Sequence, residues 1–406
     1  MLSEKKSLCN TLFSAALFIL LISRILVLTD NYNWVVSPLV LEVVYIGFVF
    51  FLILLKNSGK FVIRKGSYII ILLILIIHTV LWGTVFVNTE FPELIADHFK
   101  PQIMFVVLLA FNVLAVKQLH MELDYLKCAY YSLVCVLFWC FLKNISDVDL
   151  SGLANIMTAT ERTRANFGFG HYNTLGAACV CVILLRETIK KTSRHILVKI
   201  LDYPILIVAV VMLLCSASRS ALTSLILYFV VYYGMSVDDW GISSAAKKCI
   251  KIFEAIFILI MGVWVVFEVD LDAFLVAAQR SLLFTHTLPL FFESGRVLFG
   301  LGYASNVAYA GGLTPYTTYW MDNAYVYYLV TTGVVGAALL AYPVILIAVK
   351  LIHNRNKMFG RENFSIFCVY LYISYFEAML FSAGAIVSYV YLPWLVMCFS
   401  PARKLG

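Results

Sequence analysis

The stretch Arg162 to Asn173, RTRANFGFGHYN, brings two arginines, two glycines and a histidine into one polar patch between two long apolar runs. Seven basic residues, Lys100, Lys143, Arg162, Arg164, Arg219, Arg280 and Arg296, fall in loops that share one side of the chain once its spans are counted, and five of the seven are arginine. A guanidinium fork grips phosphate oxygens in pairs and sheds water more readily than an ammonium does. The chemistry open to such a set is therefore to hold a phosphorylated group and stabilise its charge. The plainer alternative for each arginine is a solvated loop residue, or one that reaches to a lipid headgroup.

The elements that must position these residues follow from composition. Of 406 residues, 62% are hydrophobic and 13% charged, and the mean hydropathy is +0.92. Apolar stretches of about 20 residues, long enough to cross a bilayer, recur along the whole length. No polar segment is long enough for a separate soluble domain, so the expectation is one all-α, polytopic membrane domain over 1–406. Twelve spans are expected: 8–28, 35–55, 68–87, 103–116, 125–142, 172–185, 196–215, 221–233, 250–267, 324–349, 364–381 and 385–399. The first follows Glu4-Lys5-Lys6, but its length, its Arg24 and the lack of a small-residue cleavage site mark it as an anchor rather than a signal peptide.

Lys and Arg near span ends are retained in the cytoplasm. Twelve spans place 22 of the 30 basic residues inside, with both termini, and leave Arg24 within the first span. The net charge of +7 follows from that bias and points to anionic lipid headgroups, not nucleic acid. The ten cysteines form no CxxC pair, so neither a disulfide framework nor a zinc site is expected. Two outer loops exceed what a connection needs, 143–171 and 268–323, and long loops are usually functional. The second reads as re-entrant or interfacial helices on either side of Pro289. Two Asp-x-Asp strings, Asp147 to Asp149 and Asp270 to Asp272, read as solvated loops rather than metal ligands.

Four outer motifs, in order, resemble those of the bacterial O-antigen polymerases and ligases. RANFGFGHYNTLG carries an arginine, a Phe-Gly pair, then His and Asn at the mouth of a span. SASRSALTSLILY carries Ser-Arg, a small residue and an apolar helix. RSLLFTHTLPLFFESGRVLFGLGYAS carries an arginine, a large aromatic four residues on, an amphipathic helix and Gly-x-Gly. DNAYVYYLVTTGVVG carries an acidic residue, Asn, an aromatic-rich turn and Gly. The motifs cover about half the chain, and the first five spans carry none. Tyr172 replaces a frequent proline and Phe284 a usual tryptophan. Asp322 stands where the ligases carry histidine, which leans toward a polymerase.

The resemblance implies a metal-independent, membrane-embedded glycosyltransferase with no cofactor, acting on oligosaccharides linked to undecaprenyl diphosphate in the bacterial cytoplasmic membrane. Membrane lipids, and flippase and chain-length regulator proteins, are the implied partners. Asp322, Arg280 and Arg219 are the expected catalytic set: a carboxylate base for the acceptor hydroxyl and cations for the leaving diphosphate. Arg164, Arg162, Arg296, His171, Asn173, Asn323, Gly300 and Gly302 are expected to bind substrate. His171 reads equally as a structural hydrogen-bonding group, Asn173 and Asn323 as caps or orienters of the helices that follow, and the two glycines as a tight turn with amides facing the ligand. Transfer to another acceptor, as in a ligase, or transport by a flippase are the alternative functions. The assigned sidedness predicts that cysteines placed at Ser151 and Gly312 react with an impermeant thiol reagent applied from outside, while one at Ser243 does not; labelling in the opposite sense overturns the orientation.

Overall fold

A computed structural model describes residues 2–29, 38–57, 59–60, 66, 68–86, 92–154, 163–191, 196–241, 243–253, 256, 283–304, 309, 321–356 and 359–397. These are all-helical, with no strand beyond an isolated antiparallel bridge between Thr29 and Phe169. The principal helices are α1 (Leu2–Leu26), α2 (Pro38–Lys56), α3 (Tyr68–Val80), α4 (Pro92–Leu119), α5 (Glu122–Lys143), α6 (Tyr172–Ile189), α7 (Ile196–Cys215), α8 (Arg219–Ser236), α9 (Ala324–His353), α10 (Gly360–Phe376) and α11 (Ile386–Met397).

Seven of them, α1 to α6 and α9, are long and apolar enough to cross a membrane, α3 by way of a π-helical turn over Leu81–Val85. The twelve expected spans thus come to seven of membrane length among the described residues. Four others coincide with α7, α8, α10 and α11, which are shorter or more polar over the residues described. The reasons lie in their ends. Helix α8 opens on Arg219, α10 opens on Gly360-Arg361-Glu362, and the chain enters α11 only after a loop over 377–385. The span expected over 250–267 lies mostly outside the described residues.

Helix α6 is the hub. It packs on α5, α7, α8 and α11, and 78% of its apolar window is buried, against 28% for the outlying α2. A helix apolar on all sides belongs inside a bundle, and small residues let partners come close. Gly176 meets both conditions, because a Cβ there would lie 2.8 Å from the Ala221 Cβ and 2.9 Å from the Ser218 Cβ of the neighbouring helix start.

Helix α9 is broken at Gly333, which adopts φ 69° and ψ −177°. A break among apolar helices leaves amides and carbonyls that must be paired within the protein. The segment 297–302 supplies the partners. Leu301 N donates to Val330 O at 2.8 Å and Gly302 N to Thr331 O at 3.1 Å, while Val334 N and Val335 N donate to Val297 O and Leu298 O. Gly300, at φ 84°, lets the two backbones touch, since a Cβ there would overlap Thr331 O and Gly333 N. Trp82 secures the turn, its indole N–H donating to Phe299 O at 2.9 Å. Pro289 sits in the first turn of a short helix, Leu288–Glu293, that continues a π-turn over Leu283–Thr287; the helix expected ahead of it falls mostly on 257–282, outside the described residues.

Helices α6, α8 and α10 carry polar clusters at both ends and little between. At one end lie His171, Ser218 and Glu377; at the other Lys191, Tyr232 and Glu362. The 17 residues of α10 span about 25 Å, close to the roughly 30 Å of a bilayer's hydrocarbon core. Arg24, within the first expected span, is not exposed to lipid as a bare charge: it pairs with the buried Glu42 of α2 and lies 5.6 Å from the Tyr389 ring centroid.

The docking at Gly333 predicts a sharp contrast between two alanine substitutions. Gly300→Ala adds a left-handed strain of about 1–2 kcal/mol and backbone overlap worth about 1–3 kcal/mol more, and should lower the thermal unfolding midpoint in detergent by several degrees. Gly47→Ala, where a Cβ meets nothing within 4 Å, should leave it unchanged. Equal midpoints would contradict the docking.

Candidate functional site

The loop that carries the opening motif is built from both sides. Ala165 N donates to Cys215 O at the end of α7, and Gly170 N donates to Leu28 O just past α1. Between these anchors Phe167 and Phe169 are fully buried plugs, and Phe167 and Gly168 both turn through positive φ, 47° and 78°. The Phe-Gly repeat is thus the means of folding the loop back onto the bundle. It delivers Arg164 onto the face of Tyr172, with the guanidinium carbon 4.1 Å from the ring centroid, a cation–π contact that holds the side chain at the first residue of α6.

His171 is the N-cap of α6, its Nδ1 accepting from Asn173 N at 3.2 Å. The structural role is therefore real, and it fixes the tautomer: Nε2 carries the proton of the neutral ring. Partial desolvation lowers the proton affinity of the imidazole, Asp322 acts to raise it, and Arg164 acts to lower it. Both charges therefore act on the ring. Asp322 and Asn323 precede α9, whose start needs a cap. Asn323 performs that capping, accepting from Tyr325 N at 2.9 Å and Val326 N at 3.1 Å. Asp322 lies one residue before that cap and two before the helix.

Asn173 does not cap. Its Nδ2 donates to Glu377 and its Oδ1 accepts from Ser218 Oγ at 3.0 Å, so one amide joins the ends of α6, α8 and α10. Ser218 is the residue before Arg219, which opens α8 after a tight turn through Ala217 at φ 44°. Arg164, His171, Asn173, Arg219, Asp322 and Asn323 thus gather at one end of the bundle.

The Gly-x-Gly turn does not join them. Gly300 N donates to Arg296 O at 2.8 Å and Gly302 N to Thr331 O, so these amides are used within the fold and do not face a ligand as expected. The turn meets α9 near Thr331, about 12 Å along the axis from Asn323, and Arg296 enters the same turn. Arg162 and Arg280 lie outside the described residues.

Glu377 and Ser218 were not anticipated. Glu377 was placed inside the span expected over 364–381, yet α10 stops at Phe376 and Glu377 is its extended C-cap, at φ −140° and ψ 146°. A lone carboxylate in an apolar run was the available signal, because such residues rarely face lipid. The loop after it is clasped by Gln102 of α4, which donates to Phe381 O at 2.6 Å and accepts from Ala383 N at 3.1 Å. Asp147 and Asp149 lie in an exposed turn, Asp149 being bonded to Ser151, and no group of three potential metal ligands occurs among the described residues.

The cap carries a pH dependence. Protonation turns Nδ1 into a donor and removes the bond to Asn173 N. Because the folded-state affinity is lowered, this stability is present above the unfolded value near 6.5 and is lost as pH falls through the lower folded value. Between pH 7.5 and pH 5 the unfolding midpoint should fall by an amount that includes about 1 kcal/mol for the cap. His171→Asn, which caps without titrating, should fall less. Identical falls would contradict the role.

No family model and no curated protein matches this sequence, so the function is argued from the residues and their arrangement.

Proposed function

We propose that the chain is a polysaccharide polymerase that joins undecaprenyl-diphosphate-linked oligosaccharide repeat units at the outer face of a bacterial cytoplasmic membrane, with twelve crossings and both termini inside. The observation that carries this reading is the gathering of Arg164, His171 and Asp322 around the helix ends that Asn173 ties together beside Arg219. The four sequence motifs supply the substrate class. The gathering supplies what transfer from a lipid diphosphate requires: cations for a leaving group and a carboxylate for a proton.

In this reading the acceptor hydroxyl gives its proton to Asp322 as its oxygen attacks the anomeric carbon of the donor. The bond from that carbon to the diphosphate breaks, and undecaprenyl diphosphate leaves with the electron pair. Arg164 and Arg219, with Arg280 from the outer loop, stabilise the charge that grows on the departing oxygen. His171 offers its Nε2 proton as a hydrogen bond to the bound phosphate or sugar. Helix α9 keeps its cap whatever stands at 322, because Asn323 provides it.

That independence makes the test clean. Asp322→Asn should fold like the parent and lose about two to four powers of ten in chain extension with purified protein and lipid-linked repeats, the usual contribution of a positioned base. Arg280→Lys keeps charge but loses the paired hydrogen bonds and should also be severely impaired, while Arg296→Lys should be tolerated. Extension near the parental rate in Asp322→Asn would remove the carboxylate from the chemistry; equal, mild effects at all the arginines would reduce them to headgroup anchors.

A further inference from the structure

The end of the bundle opposite the gathered site holds a second cluster that the polymerase reading leaves unused. After α9 the chain turns back into α10 through Phe359 at φ 60°. Gly360 makes the turn tight, since a Cβ there would overlap Asn354 O and come within 2.6 Å of Arg355 O. The fold-back sets Arg355 and Asn356 beside Arg361, and across from them stand Lys191, just past α6, and Tyr232 of α8. Together with Glu362 they line a cavity of about 280 Å³, near the lower end of the range for small-ligand pockets.

The charges are arranged, not merely numerous. Lys191 is pinned by an ion pair to the buried Glu362 and donates to Tyr232 Oη at 3.1 Å. Arg361 pairs with Asp239 at 2.5 Å. Each of these cations has its own carboxylate, which fixes its position. Arg355 makes no ion pair among the described residues and lines the same cavity, so one full positive charge is left uncompensated there. Helix α10 also opens here with no side-chain cap on Phe359, which adds a positive helix end to the same spot. An arginine fork, an asparagine amide and a lysine facing one polar cavity suit a phosphate oxyanion.

We infer that this cavity binds a phosphate group, carried by an anionic phospholipid headgroup or by a free phosphorylated molecule. Loop charge assigns this end to the cytoplasm, where anionic lipids concentrate and basic pockets between helices take up their headgroups. The pocket lies at the far end of α10 from the gathered site, about 25 Å along that helix, so a ligand here acts on the anchorage and stability of the fold and not on the transfer step.

The test uses purified full-length protein in a neutral detergent, with short-chain phosphatidylglycerol and inorganic phosphate as separate probes and short-chain phosphatidylcholine as the reference. Phosphatidylglycerol should raise the unfolding midpoint by about 2–4 °C over phosphatidylcholine, and Arg355→Gln, an exposed change, should lose most of that rise while keeping the parental midpoint without lipid. If inorganic phosphate produces the same Arg355-dependent rise, the site takes free phosphate; if only the lipid does, it is a headgroup site. The inference is overturned if neither probe stabilises the protein or if Arg355→Gln responds as the parent does. Should Arg355→Gln itself alter the basal midpoint, Asn356→Ala, which removes a neutral donor from the same cavity, must reduce the rise or the inference falls.

Discussion

A polar group enclosed among helices that lipid surrounds must find its hydrogen bonds inside the protein. Asn173 meets that constraint for three helices at once: its amide nitrogen serves Glu377 at the end of α10, and its oxygen receives Ser218 at the start of α8. The constraint recurs wherever the chain departs from plain apolar helix. The broken α9 is completed by 297–302, the loop over 377–385 is completed by Gln102, and Tyr45 donates to Asn112 between α2 and α4 at 2.6 Å. Losing one partner leaves the other buried and unsatisfied, which costs about 1–3 kcal/mol. Polar groups linked in this way fix one another's positions across the bundle.

Closure shapes the candidate site. With His171 capping α6 and Asn323 capping α9, the helix starts are satisfied by neutral groups. Asp322 and Arg164 are not those caps, and both charges act on the imidazole. Because Asn323 supplies the cap, a substitution at 322 leaves the start of α9 capped. The Gly-x-Gly turn has the opposite character. Its amides and its positive φ angles serve the joint with α9, so its place among the motifs is architectural.

The helices were legible because a hydropathy run is a local property: α1 to α6 and α9 lie where apolar stretches predicted them. The tight turn before Arg219 was legible for the same reason, in the short gap between the spans expected over 196–215 and 221–233. What escaped depends on pairs far apart in the chain. Asn173 and Glu377 are 204 positions apart, and nothing local to either announces the other, so Glu377 was absorbed into a span and Asn173 was read as a cap or orienter of α6 alone. The tight turn at Gly300 was legible, but not its partner, because a glycine inside an apolar run does not by itself declare the break at Gly333. His171 and Asp322 were picked out by residue type, and Asn323 was read as a cap or orienter of α9, which it caps; that His171 rather than Asn173 caps α6 required the backbone geometry.

The central claim is that this end of the bundle moves a glycan from one lipid diphosphate to the hydroxyl of another. Purified protein in liposomes, supplied only with undecaprenyl-diphosphate-linked repeat units and with neither a nucleotide sugar nor a divalent ion, tests it directly when glycan length and released undecaprenyl diphosphate are measured together. The account predicts a ladder of lengthened chains with one undecaprenyl diphosphate released for each new glycosidic bond. Unchanged repeat units, or translocation of the lipid-linked substrate without a new bond, would contradict it.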